Sequence, residues 1–131
     1  MDMVNLADKM KEAREKSSAK VDIYGTDNFR SWILYFEPGD GTDMHFHQSP
    51  ETFLVVEGSG IVKGRNVPDR DIRKNDVLCI GARDYYQVTN TGTTPLVLFG
   101  NRSEGFGGAH ITADGRDARR EDGSLAELKK T

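Results

Sequence analysis

The sequence lacks most of the features that assign a chain to a class at once. It holds a single cysteine, Cys79, so no disulfide forms within the chain, and a reducing compartment suits it. It has no long apolar run. Residues 1–20 are polar and charged throughout, without the apolar centre of a signal peptide, and nothing further on reaches the length of a membrane span. The expectation is a cytoplasmic protein with no membrane partner. Neither charge dominates: 18 basic and 21 acidic residues are interspersed for a net charge of −3. The absence of a basic stripe argues against nucleic acid as a partner. No GxSxG elbow, GxGxxG turn or Walker pattern occurs, so serine-triad hydrolysis and phosphate-loop chemistry have no support.

What remains is a chain of 131 residues, enough for one domain with one core, with 14 glycines and four prolines to supply turns. Residues 3–16 read as a short helix. Val4, Leu6, Met10 and Ala13 make a thin apolar stripe, and Asn5 or Asp8 is placed to cap the start. So polar a helix is expected to lie on an outer face or on a second subunit. From residue 19 the texture changes to short β-type runs bounded by Gly, Pro, Asn or Asp. These are 20–24, 29–37, 43–47, 52–57, 61–63, 70–73, 77–80, 86–90, 95–100 and 109–112. Such spacing, with no long helix between runs, predicts an all-β sandwich or barrel. The expected division is a helical arm over 1–18, a barrel over 19–113 and a polar tail over 114–131, with a helical turn or two at 124–130.

Two of the three histidines stand at 45 and 47, in Met44-His45-Phe46-His47. Residues two apart on a strand face the same way, so both imidazoles can converge on one ion while Phe46 points away. Pro50 breaks the ladder, and Glu51 then starts a new strand whose carboxylate can reach the same ion. Two imidazoles and one carboxylate suit one divalent transition metal: Fe, Mn, Zn, Ni or Cu. A bare His-x-His pair is more often two solvated loop histidines, so the wider pattern has to carry the assignment.

That pattern resembles the cupin superfamily. Its first motif is met in full: Gly39, five residues, His45-Phe46-His47, three residues, Glu51, six residues, Gly58. The second motif is met at Asp76 and Asn90, but Asn75 replaces its usual glycine, Gly81-Ala82-Arg83 its Pro-x-Gly, and Tyr86 its fourth-ligand histidine. The resemblance spans about residues 30–100. It implies a double-stranded β-helix, or jelly-roll barrel, holding a mononuclear metal. It also implies pairing into a homodimer, for which the N-terminal arm is suited.

Tyr86 has three readings: a ligand through its phenol oxygen, an acid or base beside the metal with catalytic duty, or a core aromatic with a satisfied hydroxyl. His110 follows a glycine-rich stretch and either folds back to complete the site or stays in solvent. Cys79, within Val77-Leu78-Cys79-Ile80, reads as a buried structural thiol. Trp32, Tyr35, Phe36 and Phe53 read as core, some lining the barrel mouth. Arg30, Arg83 and Arg102 are either surface charges or partners for an anionic substrate group. The resemblance implies a metal-dependent enzyme on a small organic molecule, of dioxygenase, isomerase, lyase or decarboxylase type. The alternatives are a non-catalytic module that binds a small molecule or metal, and a structural barrel with a vestigial site.

Overall fold

A computed structural model describes residues 1–104 and 108–118. Helix α1 runs over Leu6–Glu15. Asn5 is its cap, and the Asn5 side chain accepts a hydrogen bond from the Asp8 amide at 3.2 Å. Ten strands follow: β1 Lys20–Thr26, β2 Phe29–Phe36, β3 His45–Phe46, β4 Glu51–Glu57, β5 Ser59–Gly64, β6 Arg70–Arg73, β7 Val77–Ile80, β8 Tyr86–Thr89, β9 Leu96–Arg102 and β10 Ile111–Thr112. They form two five-stranded antiparallel sheets, ordered β1-β2-β9-β4-β7 and β10-β3-β8-β5-β6. This is the expected all-β jelly-roll barrel. The segment 124–130 lies outside the described residues.

Alternation along each strand divides the apolar side chains between two cores. Trp32, Phe53, Val55, Val88, Leu96 and Leu98 fill the space between the sheets. Val21, Ile33, Tyr35 and Val97 point outward from the first sheet and pack under Ala13, Leu6 and Met10 of α1. The thin stripe of the helix therefore covers the outer face of its own barrel. Gly100 is what lets the inner layer close. A Cβ there would stand 2.6 Å from the Phe53 ring and 3.0 Å from Trp32, rings that meet edge to face at 5.5 Å. Gly58 makes the turn from β4 to β5 at a φ of +84°, and a Cβ there would come within 2.3 Å of the Pro95 carbonyl oxygen.

The structure corrects the reading of Cys79, which is exposed. On β7 the inward positions fall to Leu78 and Ile80, and the same alternation turns Val77 and Cys79 outward on an edge strand. Among the described residues no helix is long and apolar enough to cross a membrane.

Candidate metal centre

The site forms at one end of the barrel, where β3, β8 and β10 of one sheet face β2, β4 and β9 of the other. Backbone register sets its members side by side. His45 pairs with both Tyr86 and Thr112 across its two neighbours. Glu51 pairs with Arg102, which pairs in turn with Arg30. His45, His47, Glu51, Tyr86, Arg102 and Arg30 are all buried.

Two backbone carbonyls fix the imidazoles. Nδ1 of His45 lies 2.8 Å from the Asp43 carbonyl oxygen, and Nδ1 of His47 lies 2.7 Å from that of Ala109. A carbonyl oxygen only accepts, so each Nδ1 carries the proton and each Nε2 keeps its lone pair. Burial lowers the His45 pKa to about 4, against the pull of the Asp43 carbonyl. Burial, reinforced by the Arg102 cation, lowers that of His47 to about 2. Both rings are therefore neutral near pH 7, the state in which imidazole binds metal.

His110 arrives from the far end of the chain, on a hairpin closed by the Ala118 amide bonding to the His110 carbonyl at 2.8 Å. Its ring stacks on His45 with centroids 4.0 Å apart and planes within 6°, and its Nε2 sits 3.0 Å from the Asp43 carboxylate. His45, His47 and His110 each offer a ligand atom, and these atoms lie within 4.8 Å of one another. Ligands about 2.1 Å from a common ion stand roughly 3–4.2 Å apart, from cis to trans, so small movements would bring these three to bonding range.

Glu51 does not belong to that mutual set. Its Oε2 accepts from Nε of Arg102 at 3.0 Å, and its Oε1 accepts from the Tyr86 hydroxyl at 2.5 Å. Oε1 nevertheless stands only 4.0 Å from Nε2 of His47. Burial pushes the Glu51 carboxyl up, while Arg102 and Tyr86 pull it down. Burial and the neighbouring Glu51 charge hold the Tyr86 phenol well above its ordinary value, so it stays protonated. Three imidazoles with an adjacent carboxylate are a nitrogen and oxygen donor set that fits a divalent transition ion.

Sequence reasoning left Arg102 between a surface charge and a partner for an anionic substrate group; it is buried here and paired with Glu51. It ends the inward row Leu96, Leu98, Gly100, Arg102, so the strand period alone would have found it had β9 been carried past Gly100. Its Nη2 also lies 3.2 Å from Nε2 of His47.

The family model for the cupin domain matches residues 32–99. Auxin-binding protein 1 of Arabidopsis thaliana is 32% identical over 82 residues, which is 56% of this chain and 41% of that protein. The chain spans about two fifths of the length of the curated relatives it matches. Among solved structures, BH2720 from Bacillus halodurans superposes with a TM-score of 0.70 at 20% identity, covering 79% of this chain and 80% of that one. The DMSP lyase DddQ from Ruegeria pomeroyi gives 0.65 at 15% identity, covering 72% and 51%. Such distant likeness speaks to the fold. With a family match over half its length, two sheets of the matching architecture and a histidine cluster inside them, the chain belongs to the cupin family.

Proposed function

We propose that this cupin holds one divalent transition metal through His45, His47 and His110, with Glu51 as the adjacent carboxylate donor, and acts with it on a small organic molecule. The observation that carries the reading is the convergence of three histidines, two of them buried and held neutral with Nδ1 protonated; the His47 Nε2 lone pair accepts from Arg102 Nη2 at 3.2 Å, a bond that an ion would replace. When bound, such an ion supplies Lewis acidity toward a carbonyl, a hydroxide or a site for dioxygen.

The chain's own residues supply the rest. The Asp43 and Ala109 carbonyls orient the two imidazoles. Arg102 holds the Glu51 carboxylate in place and offsets its charge. Tyr86 carries a proton at its phenol oxygen, 2.5 Å from Glu51 Oε1, and is the catalytic acid in this proposal. Tyr86 packs on the His45 ring with centroids 4.4 Å apart, and Phe53 backs Tyr86 at 6.1 Å.

The test uses metal-stripped protein reloaded singly with Fe(II), Mn, Zn, Ni and Cu, incubated with a mixture of small metabolites and followed by mass spectrometry. The proposal expects at least one compound to be consumed with one metal and not with stripped protein or with His47→Ala. Binding of a compound without its consumption under every metal would favour a non-catalytic binding module.

A further inference from the structure

We propose that the molecule taken into this site is a small oxyanion, and that its charged group docks on Nη1 of Arg102 inside the barrel. The proposal rests on the metal-site reading for what happens to the molecule, but its geometry belongs to the arginine alone.

Arg102 is 4% exposed. Its Nε serves Glu51 and its Nη2 faces His47, while Nη1 is buried with no hydrogen-bond partner. A buried guanidinium donor left without an acceptor is costly, and native interiors satisfy such groups. The open Nη1 belongs to the same guanidinium that touches His47, so an acceptor placed there lies beside the histidine cluster.

Charge counting points the same way. The guanidinium of Arg30 lies 4.6 Å and that of Arg102 4.9 Å from the Trp32 ring centre. Among the described residues, Glu51 is the buried carboxylate that meets Arg102. Asp22 answers Arg30 at 3.2 Å, but from a position 55% exposed, where solvent weakens it. A divalent ion would add further positive charge. An anionic group at Nη1 of Arg102 would meet that added charge.

An independent feature lies outside. A groove of about 360 Å³ leads along the seam between the sheets to Tyr86, whose hydroxyl ends on Glu51. Lys63, Arg65, Arg70 and Arg83 line it with one lining acid, Asp84, bonded to the Gly81 amide at 3.0 Å, while Asp69 beside the groove pairs with Lys63 at 3.8 Å and Arg65 donates to the Ala113 carbonyl. The Nε of Arg83 is also buried without a partner. The excess of positive charge left along this groove, in a chain of net charge −3, favours the approach of anions.

The experiment titrates metal-free protein with benzoate, phenylacetate and inorganic phosphate, and with benzamide and phenylacetamide as neutral counterparts. Binding is read by calorimetry and by thermal shift. At least one oxyanion should bind and raise the melting temperature, with the matching amide at least tenfold weaker; carboxylate against phosphate preference names the source. Because Arg102→Met strands Glu51, the Glu51→Gln/Arg102→Met double variant is compared with Glu51→Gln alone. The double variant should bind the oxyanion at least tenfold more weakly. Equal binding of acid and amide, undiminished binding by the double variant, or no oxyanion binding would each overturn the proposal. A Zn(II) titration of the same preparation separates the two readings. Anion binding without metal binding leaves the arginine site and removes the metal-dependent function, and metal binding without anion binding does the reverse.

Discussion

Replacing Tyr86 with phenylalanine removes one oxygen and little else, which makes its consequence calculable. That oxygen donates to Glu51 Oε1 at 2.5 Å, and both residues are at most 5% exposed. A hydrogen bond to a buried charged group contributes about 1.5–3 kcal/mol. At about 2.1 cal/mol/K of unfolding entropy per residue, a chain of 131 residues loses roughly 4 °C of melting temperature per kcal/mol. Tyr86→Phe should therefore lower the melting temperature of the metal-free protein by roughly 5–10 °C at pH 7. It should leave metal stoichiometry at one per chain, because the phenol is joined to Glu51 and is not placed as a ligand. Turnover should fall if the phenol carries the proton. Differential scanning calorimetry and metal titration read the first two outcomes. An unchanged melting temperature would refute the hydrogen-bond argument, and loss of metal would show that Tyr86 is itself a ligand.

Further outcomes follow from the same geometry. His110→Ala should weaken Zn(II) binding by more than the roughly 10–100-fold typical of losing an outer partner, as read by competition with a chelator of known affinity. The metal-free protein should lose stability on acidification. His45 and His47 have folded pKa values of about 4 and about 2 against an ordinary 6.5, so the unfolded chain binds more protons below 6.5. That stability is fully present above pH 6.5 and declines as pH falls toward the folded values, at about 1.4 kcal/mol per pH unit for each histidine. Urea melts at pH 7 and pH 5 measure it, and equal midpoints for wild type and a His45→Gln/His47→Gln variant at both pH values would contradict it. Gly100→Ala should cost about 1–3 kcal/mol, since the added methyl overlaps the Phe53 and Trp32 rings; an unchanged urea midpoint would show that those rings yield freely.

The barrel and half of the centre are legible in local sequence because they rest on local rules. Strand period two sets His45 and His47 on one face, Pro50 frees Glu51 to open β4, and Gly58 permits the turn that follows. The site's remaining members depend on longer-range closure. His110 reaches the cluster only because the 110–118 hairpin pairs with β3 across some sixty residues of chain. No periodicity announces that return. Arg102 was concealed differently: β9 runs two residues past Gly100, and those residues carry an arginine into the interior where composition suggests a surface charge. Cys79 misleads for the converse reason, since an apolar run on an edge strand still sends every second residue outward.

The most direct measurement is an anomalous diffraction map of crystals grown from protein loaded with Zn(II). The account predicts one peak per chain, about 2.0–2.1 Å from a nitrogen of each of His45, His47 and His110. A peak elsewhere, or a well-ordered chain with His110 turned to solvent and no peak at the three rings, would contradict it.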